Sequence, residues 1–551
     1  MGIPFYFSYL IQNHKKIITK IENIKNVDNL FIDSNSIIYD SLKFENFKNK
    51  TQFEEYIIQN VINRLEIIIK NINPKNKTFI AFDGVPPIAK LKQQKNRRYK
   101  SHYQAKLFAK PVLWDTCAIT PGTNFMNNLN NSIIKYFQNN KNIILSLTNI
   151  PGEGEHKIFE YIRDNINLQD YQNSNNIVYG MDADLIMLSL NHLKYCKQIY
   201  LYRETPHFIK SLDNSLDPNQ TYLINILELG NQIYKELTDD ISVQKDTPDW
   251  LKEASEIIDN SLNNLQINGQ TFYSKIDDYI FICFLLGNDF MPHFPAINIR
   301  TNGFTILLEL YKKLFNKKQL IKDGKIIWTN FKLFIGKIAE NEEIFLKEIY
   351  NLREKQSKKI YKENTEQEKE FKFNATPSWE RNIEIFINPF EEGWRHRYYY
   401  SLFDIDITKD NHDNKAIGNI CTNYLQTLQW TYYYYSKECV NWNHCYNYYY
   451  PPLLSDLYKS IPYFDSELVL KEDKNIIHPY LLLSYVLPCD SLNLLPSNIH
   501  NYLLKNYENH YKEDYEFIYA FCKYFYEGHV KFPKLDFKEF TANINKLIVN
   551  I

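Results

Sequence analysis

Short apolar runs that each end in an aspartate constrain the fold of this chain more than any other feature. Three of them read NLFID, TFIAFD and NIVYGMDAD, and they place Asp33, Asp83 and the pair Asp182 and Asp184 at or beyond their ends. Runs of this length predict buried strands, and the longer segments between them, such as FEEYIIQNVINRLEIIIKNI, predict helices. The alternation therefore predicts an α/β fold with a mostly parallel, twisted sheet that is flanked by helices.

The carboxyl ends of parallel strands lie along one edge of a sheet, and ligands bind there. We therefore expect the four strand-end aspartates to be neighbours in space. Further carboxylates occur in the motifs PGEGEHK and LLGNDFMPHFP. The predicted catalytic and metal-binding set is Asp33, Asp83, Glu153, Glu155, Asp182, Asp184 and Asp289.

Seven carboxylates cannot gather at one edge without a compensating charge. Two of them about 4 Å apart repel by roughly 4 kcal/mol at an effective dielectric constant near 20. Any single one could instead cap a helix or form a turn, but the set as a whole predicts bound cations. Oxygen ligands without His or Cys favour Mg²⁺ or Mn²⁺. Two such ions would suit a phosphodiester displacement in which water is the nucleophile.

A dense band of cations follows Asp83 directly. Residues 84–114 contain no acidic residue, although the net charge of the whole chain is only -1. Lysine offers phosphate a point charge and arginine offers it a bidentate fork, so a helix face of this composition predicts a site for a terminal phosphate. The alternative is an ordinary solvated basic helix. The spacing i, i+4, i+7, i+8 places four residues on this face: Lys90, Gln94, Arg97 and Arg98.

The composition divides the chain into three predicted parts. Residues 1–350 contain the α/β core with the acidic residues, and a polar insertion is predicted at 205–270. Residues 351–375 are rich in Lys, Glu and Gln, which predicts a charged linker or an exposed helix. Residues 376–551 form a second region that is rich in aromatic residues and punctuated by proline.

Several blocks resemble, in the same order, the signature blocks of the eukaryotic 5′→3′ exoribonuclease (XRN) family. They include MGIPFYFSYL, AFDGVPPIAKLKQQKNRRYK, ITPGTNFM, PGEGEHKIFEYIR, YGMDADLIMLSL and FLLGNDFMPHFP, and the likeness continues through GWRHRYYYSLF and YLLLSYVLPCDSLNLLP. The resemblance covers nearly the whole chain. It implies a PIN/flap-nuclease-like core and a mainly helical, aromatic-rich second region that packs against the core and encloses the active site.

The same resemblance implies an activity and its parts. The protein is expected to be a processive 5′→3′ exoribonuclease that degrades single-stranded RNA with a 5′-monophosphate to nucleoside 5′-monophosphates, as in mRNA decay. The seven acidic residues match the family's cluster for two Mg²⁺ or Mn²⁺ ions. The quartet Lys90, Gln94, Arg97 and Arg98 matches its 5′-phosphate pocket, which excludes capped and triphosphorylated ends.

The residues expected to stack on the terminal base depart from the family pattern. Tyr39 stands where the family carries a histidine, and tyrosine can still stack on a base although it cannot become cationic near neutral pH. Trp442 aligns with the first of two family tryptophans, and His444 stands at the second. Base stacking is therefore predicted for Tyr39, Trp442 and His444, with the pairing left open.

Two other functions remain open on the sequence. A structure-specific 5′ flap-type DNA nuclease shares a related acidic core, but the segment after Asp289 has only Gly303 where such an enzyme places a glycine-rich turn to clamp duplex DNA. A catalytically inactive RNA-binding scaffold is the second alternative. It would have no physical reason to retain seven mutually repelling carboxylates.

The cellular setting is expected to be the cytoplasm, with the nucleus left open. The first residues lack a secretory signal pattern, and no apolar stretch is long enough to span a bilayer. The eight cysteines include no Cys-x-x-Cys pair, which favours a reducing compartment. The protein is expected to act as a monomer, and the sequence indicates no docking partner.

Overall fold

A seven-stranded sheet forms the centre of the first half of the chain in this computed structural model. The structure describes residues 5–42, 47, 49–110, 114–168, 170–203, 216–217, 220–238, 269–315, 318–408 and 412–549. The strands of the sheet are β1 (Ile18–Lys20), β2 (Asn29–Asp33), β3 (Lys77–Ala81), β4 (Ile143–Ser146), β5 (Asn175–Tyr179), β6 (Gln198–Tyr202) and β7 (Tyr222–Asn225). Their order is β1-β7-β6-β5-β2-β3-β4. Strands β6, β5, β2, β3 and β4 run parallel to one another. Strand β7 pairs antiparallel with both β6 and β1, and β1 forms the edge. The predicted mostly parallel sheet is confirmed.

Helices fill the connections of this half of the chain. They are α1 (Tyr6–Asn13), α2 (Asn35–Asp40), α3 (Lys50–Ile72), α4 (Ile88–Leu107), α5 (Asn124–Phe137), α6 (Gly154–Asp164), α7 (Asp184–Asn191), α8 (Ile226–Thr238), α9 (Gly269–Cys283), α10 (Gly303–Phe315), α11 (Trp328–Ala339) and α12 (Glu342–Ser357). A short hairpin of β8 (Ile321–Lys322) and β9 (Lys325–Ile326) joins α10 to α11.

Both faces of the sheet are buried, as parallel sheets require. Along β2, Leu30 and Ile32 pack into one core cluster with α3 and α5, while Phe31 between them packs into another with α6, α7 and α9. This two-residue alternation follows from strand geometry. It sends neighbouring side chains of β2 to opposite faces, so that helices cover the sheet on both sides.

The second region is mainly helical, as expected. Its helices are α13 (Glu366–Asn374), α14 (Asn382–Ile387), α15 (Trp394–Phe403), α16 (His412–Ser436), α17 (Leu454–Ser460), α18 (Pro479–Val486), α19 (Ser497–Asn506), α20 (Glu508–Tyr511) and α21 (Phe537–Ile548), with a hairpin of β10 (Phe517–Ile518) and β11 (His529–Val530). Tyr424, Trp430 and Leu454 of this region belong to the same core cluster as Phe31 of β2. The two regions therefore share one hydrophobic core.

Two of the predicted boundaries can be compared with the described elements. The predicted insertion at 205–270 contains β7 and α8, whose apolar residues Leu223, Ile226 and Leu229 are buried in the core; residues 204–215, 218–219 and 239–268 lie outside the described residues. The boundary at residue 350 falls inside α12. Polar composition suggested both boundaries, but an amphipathic helix such as α8 is polar on its exposed face even when its other face is buried.

The charged stretch 351–375 ends in an exposed helix. Helix α13 has no buried residue, and it begins with a capping box in which Thr365 accepts from the Glu368 amide. None of the helices in the described part of the chain is long and apolar enough to cross a membrane.

Candidate active site

The seven predicted acidic residues sit at element ends near the carboxyl edge of the sheet. Asp33 is the last residue of β2, Asp83 follows β3 by two residues, and Asp184 opens α7 after β5. Glu153 and Glu155 flank the first residue of α6. The parallel order of β3, β2 and β5 places these ends side by side, which is why residues far apart in sequence meet.

Mutual repulsion shows how closely these carboxylates lie. Burial raises the pKa of Asp33 well above its usual range, and the neighbouring charges of Asp83, Asp182 and Glu153 raise it further. Burial, together with Asp184 and Asp182, does the same to the pKa of Glu155. The cluster is therefore strained electrostatically and calls for positive charge.

Lys90 supplies one such charge from the start of α4. Its Nζ lies 2.5 Å from Glu153 Oε2 and 2.7 Å from Asp289 Oδ2, and all three side chains are buried. Burial acts against the ammonium, but Asp289 and Glu153 outweigh it and hold the Lys90 pKa well above its usual range. In turn, although burial raises the pKa of Asp289, Lys90 lowers it far below normal. This buried ion pair ties the predicted phosphate helix to the acidic cluster.

Asn35 and Gly154, which the sequence analysis did not single out, hold Asp83 in place. The Gly154 amide donates to Asp83 Oδ1 at 2.7 Å, and the Asn35 amide group donates to Asp83 Oδ2. A Cβ at residue 154 would lie 2.5 Å from Asp33 Oδ1, so only glycine allows α6 to begin this close to the carboxylates. Asn35 lies in the motif DSN and Gly154 in the motif GEGE, so their positions beside acidic residues could have indicated this role.

Two tyrosines of the second region complete the cluster. Tyr434 Oη of α16 donates to Glu153 Oε1 at 3.0 Å, and its ring stacks on His156 with the ring centroids 3.6 Å apart. Burial raises the pKa of the adjacent Tyr435 well above its usual range, and the nearby charges of Asp184 and Glu155 raise it further. Both lie in the run WTYYYYS, where the sequence alone could not separate core tyrosines from those that reach the carboxylates. The second region therefore takes part in building the site.

Replacing Tyr434 with phenylalanine is expected to lower activity by about 10–100-fold, the usual cost of losing a group that orients a metal ligand. The Mg²⁺ concentration for half-maximal activity should rise as well. Tyr433→Phe is the matched control, because Tyr433 lies on the same helix but donates to Glu467. An unchanged Mg²⁺ dependence in Tyr434→Phe would show that this hydroxyl does not position Glu153.

The arrangement fits divalent cations. Within the described residues, Asp33 Oδ1 and Glu155 Oε2 are buried and have no hydrogen-bond partner. A buried carboxylate oxygen without a donor is costly, and a hard cation with oxygen ligands would remove that cost. Lys90 neutralises only part of the negative charge, so the donor set suits Mg²⁺ or Mn²⁺.

The predicted phosphate residues all lie on α4, but they face different surroundings. Lys90 is ion-paired with the acidic cluster. Arg97 is exposed and lines a cavity of about 520 Å³ together with Asp289. Gln94 Oε1 and Arg98 Nη1 are buried and have no hydrogen-bond partner among the described residues. Burial lowers the pKa of Arg98, while the nearby Cys117 and Tyr39 act in the opposite direction.

The three predicted stacking residues do not meet in the part of the chain that the structure describes. Tyr39 is 46% exposed, whereas Trp442 is 8% exposed with Lys474 Nζ 5.1 Å from its ring centroid. His444 Nε2 lies 2.9 Å from Thr427 Oγ1 inside the second region. Tyr39 is the most exposed of the three rings, and the base-stacking roles of all three stay a prediction.

Comparison with known proteins identifies the family of the chain. Residues 1–205 match the family model "XRN 5'-3' exonuclease N-terminus", and residues 271–385 and 383–549 match "Xrn1 helical domain". The 5'-3' exoribonuclease 1 of Saccharomyces cerevisiae is 26% identical over 90% of this chain and 40% of its own length. The 5'-3' exoribonuclease 2 of Arabidopsis thaliana is 25% identical over 100% of this chain and 68% of its own length.

Among solved structures, the catalytic core of Rad2 in complex with a DNA substrate matches with a TM-score of 0.31 and 14% identity, over 63% of this chain and 78% of that one. A similarity this low carries no argument about function. The family models, in contrast, cover most of the sequence. The chain belongs to the XRN family of 5′-3′ exonucleases.

Proposed function

We propose that the protein is a processive 5′→3′ exoribonuclease that hydrolyses single-stranded RNA with a 5′-monophosphate, releases nucleoside 5′-monophosphates and acts in RNA decay. One observation carries the proposal: Lys90, at the start of the cationic helix, is ion-paired to two members of the acidic cluster. A group bound by the cations of α4 would therefore lie beside the carboxylates.

Each part of the site has a role in this proposal. The seven carboxylates would hold two divalent ions, which when bound supply an activated water and stabilise the attacking and leaving oxygens. Gln94 and Arg98 offer buried, unpartnered polar atoms for the terminal phosphate. The exposed ring of Tyr39 offers a surface for the first base. Tyr434 and Asn35 orient the carboxylates Glu153 and Asp83.

Enclosure of α4 by the second region supports cleavage from an end rather than within the strand. The Ile88 amide donates to Trp442 O at 3.0 Å, Tyr99 Oη donates to Leu487 O at 3.1 Å, and Lys100 Nζ donates to Gly528 O at 2.8 Å. Ile88 and Tyr99 lie on the side of α4 opposite Lys90, so these contacts hold the back of the helix against the second region. A strand end would reach a site covered by the second region more easily than the middle of a strand, so we expect cleavage from the terminus.

The test compares four 5′ ends on one single-stranded RNA in the presence of Mg²⁺. The monophosphate is expected to be digested, and the triphosphate, capped and 5′-hydroxyl forms are expected to resist. Arg98→Met should reduce this discrimination, because the guanidinium is the strongest phosphate ligand in the set. Lys106→Met, on the exposed end of the same helix, is the control and should discriminate normally. Equal rates on all four ends would contradict the phosphate assignment.

A further inference from the structure

A second cavity adjoins the cavity lined by Arg97 and shares Gln93 and Asp289 with it. It has a volume of about 400 Å³, and Lys92, Gln93 and Lys95 line it. With 3.6 residues per turn, Lys92 and Lys95 project roughly 140–160° away from Lys90 around the helix axis. Asp289 also lines this cavity, which we call the Lys95 cavity, so it adjoins the acidic cluster from the rear.

The Lys95 cavity is lined by polar groups that lack partners. Lys95 is only 5% exposed, and within the described residues its ammonium has no hydrogen-bond acceptor. The Nζ instead lies 4.5 Å from the ring centroid of Phe532 and 4.7 Å from that of Tyr485, and burial lowers its pKa to about 7. Gln93 Nε2, Gln93 Oε1 and Asn288 Nδ2 are likewise buried without a partner there. Unpaired groups of this kind indicate a ligand, because each one is costly when nothing binds it.

The remaining wall of the Lys95 cavity is aromatic. Tyr448, Tyr449, Tyr485 and Phe532 are all partly exposed and line it. Tyr449 Oη donates to Val530 O at 3.0 Å, which fixes that ring. Fixed aromatic faces beside a cation and an amide are the combination that binds a base and a phosphate together.

We propose that the Lys95 cavity binds a nucleoside 5′-monophosphate, with its phosphate on Lys95 and its base against the tyrosine rings. The Gln93 side chain offers one donor and one acceptor, which suits the edge of a base. The proposal rests on the proposed function only for the source of the ligand, since that reaction releases molecules of this class beside Asp289. Binding itself requires no cleavage.

Calorimetric titration of the full chain with AMP in EDTA tests the proposal. Arg98→Met serves as the background, so that the predicted 5′-phosphate pocket does not contribute. This protein is expected to bind one AMP, and adding Lys95→Met should weaken that binding at least tenfold, because a charge-assisted hydrogen bond is lost. Adding Lys106→Met to the same background should leave the affinity unchanged. Gln93→Leu is a second variant that retains Lys95 and its cage, and it should also weaken AMP binding severalfold.

Adenosine and inorganic phosphate are titrated separately, and each should bind at least tenfold more weakly than AMP. Absence of AMP binding, or equal affinity with and without Lys95 and Gln93, would overturn the proposal. Phosphate that binds as tightly as AMP would overturn the assignment of a nucleotide. A protein that degrades RNA but does not bind AMP here refutes the cavity alone, and the reverse result refutes the proposed function alone.

Discussion

Replacing Glu155 with glutamine is expected to reduce RNA hydrolysis by about 10³-fold or more while the protein stays folded. Glutamine has nearly the same shape but cannot supply the negative oxygen that a divalent ion requires, and metal stabilisation of the transition state is worth several kcal/mol. Initial rates on 5′-monophosphorylated RNA at saturating Mg²⁺ measure the effect.

The same substitution should raise the thermal stability of the metal-free protein. Burial and the neighbours Asp184 and Asp182 oppose the ionised Glu155, so removing its charge relieves repulsion in the folded state. Glu160→Gln is the matched control, because Glu160 lies on the same helix and is exposed; it should change neither activity nor melting temperature. Near-normal hydrolysis by Glu155→Gln would remove this residue from the metal site.

Replacing Lys90 with methionine is expected to destabilise the metal-free protein by about 3–5 kcal/mol, the usual cost of removing one partner from a buried ion pair. Methionine retains the bulk of the side chain but leaves Glu153 and Asp289 without their shared cation. Added Mg²⁺ should restore more stability to the variant than to the wild type, because the ion replaces the lost charge. Chemical denaturation with EDTA or Mg²⁺ measures both effects.

Lys106→Met provides the contrast on the same helix. Lys106 pairs with Asp490 and Glu513 at the surface, where all three side chains are at least one-third exposed, and such pairs contribute about 0–1 kcal/mol. The free energy of unfolding of this variant should therefore stay close to that of the wild type. Equal stability of Lys90→Met and the wild type in EDTA would show that Lys90 does not neutralise the acidic cluster.

The sequence was sufficient to locate the acidic residues because strand ends carry a strong local signal. The apolar runs before Asp33 and Asp83 form β2 and β3, and parallel pairing brings their ends to one edge. Strand β7, which lies between β1 and β6, was missed, because a run of only four residues shows no clear period. Its place in the sheet depends on antiparallel pairing with β1, about 200 residues earlier, which no local pattern reveals.

Local sequence patterns could not predict which side chains of the second region reach the site. Tyr434 donates to Glu153 across 281 residues of sequence, and nothing in a run of four tyrosines distinguishes it from Tyr433. The predicted roles of Trp442 and His444 rested on alignment to the family pattern. In the structure Lys474 Nζ lies over the Trp442 ring and His444 contacts Thr427, and the stacking roles of both residues stay predictions. Side-chain partners of this kind are set by tertiary packing rather than by residue type.

The central claim is that the gathered carboxylates exist to hold two divalent ions. Anomalous diffraction from crystals soaked in Mn²⁺ measures this directly. The account predicts two manganese peaks bound by members of the set Asp33, Asp83, Glu153, Glu155, Asp182, Asp184 and Asp289. Well-diffracting crystals with no manganese peak among these carboxylates would contradict it.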